Sequence, residues 1–274
     1  MNQPQFSPYK APSDVPFYLA FGTLAGVYIF LILAMLFSEA VFASESDFAK
    51  IFGSPEICYS IKLSLISCSM TAILSLWVAV PIGYLMARRS FPGKVLLDAI
   101  LDIPIVLPPL VIGLALLIFF QTPIGRAIEK IIPFTYSIPG VILAQFMVGA
   151  AFAVRMMRAT FEQINPRCER VALTLGCNDS QAFWKVTFPQ ARRGLLAAGT
   201  MAWARALGEF GPILIFCGAT RMRTEVLPTT IFLEMSVGNI EGAVAVSLLM
   251  VAAAVFVLVV VRWCGLGRGL YLGS

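Results

Sequence analysis

Two charges stand where an apolar chain tolerates them least: Arg205 and Glu209, inside the run 195–218. Either one at the centre of a membrane helix costs roughly 2.5–3.5 kcal/mol by insertion scales. Four residues apart on a helix, they share a face and can pair, although Arg preceding Glu is the weaker order. Two readings stay open. One is a buried salt bridge that ties a bundle together. The other is a pathway-facing pair, in which Arg205 lowers the barrier for an anion and Glu209 keeps the site from becoming a trap. Gly208 and Gly211 flank the pair and allow close approach by a neighbouring helix.

Little else in the chain does chemistry. Histidine is absent, which removes the commonest general base and metal ligand. The six cysteines, Cys58, Cys68, Cys168, Cys177, Cys217 and Cys264, form no CxxC pair and fall mostly in apolar runs. They read as small hydrophobes, not as a metal site or disulfide framework. No GxxxxGK[ST] or dinucleotide fingerprint occurs, so any ATP used is hydrolysed by another chain. No catalytic constellation is expected, which disfavours an intramembrane enzyme. The net charge of +5 is not read as nucleic-acid affinity, because in a membrane protein the placement of Lys and Arg carries the information.

The elements that must position these residues are membrane helices. The chain is 59% hydrophobic and 13% charged, against about 25% charged in soluble domains. The fold class is therefore all-α integral membrane protein with about six transmembrane helices, at 16–43, 60–87, 97–120, 138–159, 195–218 and 242–263. The first run is too long for a signal peptide and only Lys10 precedes it. Residues 1–57 comprise a tail, this helix and an external loop; 58–263 form the core; 264–274 are a second tail. Lys10, Arg88, Arg89, Lys94, Arg155, Arg158, Arg167, Arg170, Lys185, Arg192, Arg193, Arg262 and Arg268 fall on one side. Lys50, Lys62, Arg126, Lys130, Arg221 and Arg223 fall on the other. This bias puts both termini in the cytoplasm of a multi-pass protein of the cytoplasmic membrane.

The third run carries Pro104, Pro108 and Pro109. Each lacks an N–H, so the helix is expected to bend or open. A packing kink and a bent helix lining a pathway both fit. Outside, Arg221 and Arg223 are either solvated or docked to acidic residues of a partner. Residues 224–238 are too short to span and read as a re-entrant segment buried against protein.

The longest cytoplasmic loop, 161–191, has its own local code. Asn165 suits an N-cap and Pro166 the first helical position. Cys168, Val171, Ala172 and Leu175 recur on one helical face. Gly176 supplies a left-handed stop. Asp179 or Ser180 can cap a second short helix carrying Phe183, Trp184 and Phe188, which Pro189 closes. Such a hairpin lies on lipid or docks in a partner's groove.

Glu169, Arg170, Val171, Ala172 and Gly176, followed thirteen residues later by Pro189, resemble the coupling-loop signature of ABC importer permeases, Glu-Glu-Ala-Ala-x-x-x-Gly with a later Pro. Arg170 and Val171 depart from it. The runs 107–113, 204–211 and 225–230 are similar to permeases for molybdate, tungstate, sulfate or thiosulfate. The resemblance implies a type I ABC importer permease fold with a cytoplasmic coupling-helix hairpin. It implies ATPase contact through Glu169, Ala172, Leu175, Gly176, Phe183 and Pro189. Beside it, Arg205, Glu209, Pro108 and Pro109 stand as the pathway candidates, and Arg221 and Arg223 as the candidates for docking a solute-binding protein. The resemblance further implies a second permease copy, or a related one, and no cofactor on this chain, with ATP and Mg on the ATPase. A secondary anion transporter is the rival from another class, but no inverted repeat is visible.

Overall fold

The computed structural model describes residues 14–42 and 53–266; Lys10, Lys50 and Arg268 lie outside the described residues. Every described element is helical, the structure that satisfies backbone polar groups without water. α1 (Val15–Phe42) belongs to a unit of its own. Its 28 residues reach about 42 Å, more than the ~30 Å hydrocarbon layer. Apolar side chains cover it on all sides, the pattern of a lipid-surrounded helix.

The second unit is built around α2 (Pro55–Arg88) and α6 (Ile138–Gln163). The Ser54 hydroxyl accepts from the Ile57 N–H to start α2, and Ser137 does the same for Gly140 at α6. One buried stripe of α2 carries Ser60, Ser64, Ser67, Thr71 and Ser75. Small side chains at this spacing let α6 approach closely. A Cβ on Gly83 would stand 2.9 Å from the Met157 Cβ.

The expected third span is not one helix. α3 (Lys94–Val106) and α4 (Pro109–Gln121) diverge by 110°. Leu107 and Pro108, each followed by a proline, are extended, with ψ of 140° and 135°, as the ring of the next residue demands. Each half has 13 residues, about 20 Å, too short to cross alone. The predicted bend is thus a break, while Pro104 stays inside α3. α5 (Pro123–Glu129) follows.

The fifth expected span is also interrupted. α7 (Arg167–Thr174) and α8 (Asp179–Ala182) make the hairpin. A π-helical turn, Phe183–Thr187, then runs without pause into α9 (Phe188–Leu207). Pro189 therefore does not close a short helix, as its type suggests. It sits in the first turn of a long one, and the wider π turn before it accommodates a ring that would crowd the carbonyl four residues back. After a gap at Gly208, Glu209 and Phe210 come α10 (Gly211–Phe216), α11 (Leu227–Ser236) and α12 (Ile240–Leu266). Among the described residues four helices are long and apolar enough to cross a membrane, or five if α3 and α4 count as one span. α9 has a span's length, but Arg192, Arg193 and Arg205 charge it.

α6 runs through two cores. Met157 and Phe161 pack with Ala191, Ala198 and Ala202 of α9. Val141, Ala144 and Val148 pack with Ile112 and Leu116 of α4 and Ile213 and Phe216 of α10. α11 is buried along Leu227, Thr229, Thr230 and Glu234. The Leu227 N–H donates to Ser64 Oγ at 2.8 Å, about 14 Å along α2 from its start. The first part of residues 224–238 is thus packed on protein, whereas Phe232 and residues 235–238 are exposed.

Candidate functional site

The two helix breaks meet. A Cβ on Gly211 would lie 3.2 Å from the Pro109 Cβ, and one on Gly113 would lie 2.8 Å from the Pro212 Cα. Only glycine permits this backbone approach between α4 and α10. Gly208, expected to share that role, has only its own helix's carbonyls nearby, at 3.8 Å and beyond, and is exposed. Pro108 and Pro109 are exposed as well.

Arg205 and Glu209 pair, with Arg205 Nη2 3.0 Å from Glu209 Oε1. They do not share a helix face, because Glu209 lies beyond the end of α9. Its side chain is 1% exposed and that of Arg205 is 32% exposed. Arg205 also stands 5.5 Å from the ring centroid of Phe152 on α6, within cation–π range. No aligned hydrogen bond reaches Glu209 Oε1; its attraction to Arg205 is ionic.

The hairpin is a second functional element. Asn165 Oδ1 accepts from the Arg167 N–H at 3.0 Å, but the helix starts one residue later than expected, and Pro166, not Asn165, stands at the cap position without a side-chain hydrogen bond. Gly176 is left-handed, φ +89°, and the Cys177 N–H donates to Ala172 O at 3.0 Å, the predicted stop. Asn178, not Asp179 or Ser180, caps α8, in a reciprocal box with Gln181. Asp179 instead pairs with Arg89 at 3.0 Å.

On α7, Ala172 is buried, whereas Cys168, Val171 and Leu175 are exposed. Glu169 faces the other way, to a site on α2. Arg88 Nε approaches Glu169 Oε1 at 3.2 Å, the Tyr84 hydroxyl donates at 3.4 Å and the Thr187 hydroxyl at 2.5 Å. Arg88 Nη2 also donates to Ile164 O at 2.8 Å. Phe183 packs edge-on to Tyr84, centroids 4.7 Å apart, and lies 5.9 Å from Phe188. Tyr84, Arg88 and Thr187 escaped sequence reading because their link to Glu169 is tertiary.

Two further groups were also missed. Asp98 and Asp102 on α3 pair with Arg158 and Arg155 on α6, the second pair at 2.5 Å. Two acids one turn apart in an apolar run were the available signal. At the outer end, Arg221 donates to Glu234 at 2.8 Å and lies 3.9 Å from Glu56 and 4.0 Å from Glu225. The hydrogen bond to Glu234 raises its pKa further. Glu225 is fully buried, and burial raises its carboxyl pKa despite Arg221. Arg223 is exposed. Among the described residues no group of three or more His, Cys, Asp or Glu could hold a metal ion.

Residues 79–264 match a family model described as binding-protein-dependent transport system inner membrane component. The molybdate/tungstate transport system permease protein WtpB of Thermococcus kodakarensis is 31% identical over 253 residues, 91% of this chain and 96% of that one. The sulfate transport system permease protein CysT of Escherichia coli is 29% identical over 249 residues, 88% and 90% of the two chains. A solved bacterial alginate ABC transporter, in complex with alginate pentasaccharide-bound periplasmic protein, shares the fold. Its TM-score is 0.70 at 17% identity, over 91% of this chain and 93% of that one.

Proposed function

The chain belongs to the binding-protein-dependent transport system inner membrane component family, and from that premise we propose that it is the permease subunit of an ATP-binding-cassette importer for a tetrahedral oxyanion, molybdate or tungstate. The observation that carries the substrate class is Arg205, the accessible member of an ion pair set in a helix break. A dianion entering the break meets Arg205 and displaces Glu209 from it. Glu209, tethered 3.0 Å away, then competes for the cation again and returns the anion to solution. Such a site admits and releases, as a pathway must.

In this reading the exposed Val171 and Leu175 of α7 enter a groove on an ATPase subunit that holds ATP and Mg. Glu169 and Phe183 fix the hairpin to α2, so that movement of the ATPase reaches the spans as one body. Exposed Arg223 is the candidate contact for a solute-binding protein outside; Arg221 is already engaged by Glu234. A second copy completes the pathway, and the bias of Lys and Arg puts both termini in the cytoplasm.

Uptake of labelled molybdate by proteoliposomes holding this chain, its ATPase and its binding protein tests the proposal. Uptake is expected to require ATP and to yield to tungstate before sulfate. Uptake without ATP would overturn it. Sulfate, the second reading, is favoured by the likeness to CysT and would show as stronger competition by sulfate than by tungstate.

A further inference from the structure

Gln145, inside α6, is 1% exposed, yet every polar atom of its side chain is engaged. Nε2 donates to the Ala206 carbonyl at 3.2 Å and lies 3.7 Å from Cys68 Sγ. Oε1 accepts from the Thr71 hydroxyl at 3.2 Å. Ala206 is one of the last residues of α9. Its carbonyl would bond the N–H of residue 210 if the helix continued, and the break leaves it without that partner. It accepts the Glu209 N–H instead, at 3.2 Å. One carbonyl oxygen therefore joins the Gln145 amide to the backbone of Glu209.

Three helices meet around this network. One turn along α6, a Cβ on Gly149 would stand 3.4 Å from Ala202 O and 3.5 Å from Thr71 Cγ2, so α2, α6 and α9 touch here. An aliphatic side chain would fill this space without the cost of burying an amide. What it cannot do is give a broken helix end a donor. We infer that Gln145 is a positioning residue of the anion pathway: by capping Ala206 O it fixes where α9 ends, and so where Glu209 stands relative to Arg205. The inference rests on reading Arg205 and Glu209 as a pathway pair. Gln145 acts through the backbone and not by contact with the anion.

Three variants in the assembled transporter test it. Gln145→Met keeps length and removes all three side-chain hydrogen bonds. Gln145→Glu keeps the acceptor for Thr71 but, as a carboxylate, has nothing to donate to Ala206. Thr71→Val removes only the hydroxyl that orients the amide. Amide hydrogen exchange over residues 207–212 is expected to speed up roughly tenfold in the first two, the loss of about one buried hydrogen bond, and less in Thr71→Val. Exchange elsewhere in α6 stays as in the wild type. The KM for oxyanion uptake rises severalfold while ATP hydrolysis persists. Wild-type exchange over 207–212 in an assembled Gln145→Met transporter overturns the inference. If that variant does not assemble, wild-type exchange in both Gln145→Glu and Thr71→Val overturns it. Faster exchange with unchanged KM, in a transporter where Arg205→Ala also imports normally, instead overturns the pathway reading and leaves Gln145 a helix cap alone.

Discussion

Arg88 and Glu169, 81 positions apart in sequence, close an ion pair of 3.2 Å whose side chains are 9% and 13% exposed. It fastens the α7 hairpin to the end of α2. Removing one partner of a buried pair leaves the other uncompensated, at a cost of about 3–5 kcal/mol. Glu169→Ala is expected to lower the melting temperature and to open the hairpin to trypsin at Arg167 and Lys185. Limited proteolysis followed by mass spectrometry reads this directly. Glu169→Gln, which retains acceptors for Tyr84 and Thr187, should fall between the two.

The outer face of the same hairpin carries the opposite expectation. Val171 and Leu175 are 57% and 79% exposed, so charge there costs the folded chain little, within about 0.5 kcal/mol. Leu175→Asp should leave melting unchanged and abolish co-purification of the ATPase. Normal capture of the ATPase by the variant would show that this face is not the docking surface.

The contact between the two breaks predicts a size limit. Gly113→Ala would set a Cβ 2.8 Å from the Pro212 Cα, a backbone atom that cannot swing aside. Overpacking of this kind costs about 1–3 kcal/mol. Gly22→Ala, with nothing within 4 Å of the added atom, should be neutral or slightly stabilising. Melting curves of the two variants in one detergent make the comparison.

Glu225 predicts a pH dependence. Burial raises its folded pKa above the ordinary value, so the folded state holds the proton more tightly than the unfolded one. Its effect on stability is most favourable below the unfolded value, about 4.3. Stability is then lost as pH rises from there through the raised folded pKa. Glu225→Gln, which mimics the protonated form, should melt higher than the wild type at neutral pH and equally near pH 4. Equal melting of the two proteins across that range would contradict it.

Much of this was written locally in the sequence. Gly176 needed only its place after an amphipathic turn to be read as a left-handed stop; Asn165 does bond the start of the hairpin, but the helix begins at Arg167, one residue later than its type and the following proline suggest. Pro108 and Pro109 announced a bend, but not 110°, because the angle is set by what α4 packs on, namely Gly211 and Pro212. The break at Gly208, Glu209 and Phe210 was hidden by apolar flanks that hydropathy averages into one span. The contact made at that break is tertiary too: Gln145 on α6 donates to a carbonyl at the α9 end, a link no local pattern displays. Glu169 was legible as part of a loop signature; that it points inward depends on Arg88, which no local pattern can link to it.

The central claim is that an accessible arginine in a broken membrane helix serves an anion's passage, and Arg205→Ala in the ATP-driven uptake assay tests it most directly. The variant is expected to assemble with its ATPase and binding protein, to hydrolyse ATP, and to import no molybdate or tungstate. An assembled Arg205→Ala transporter that imports either anion at the wild-type rate would contradict the account.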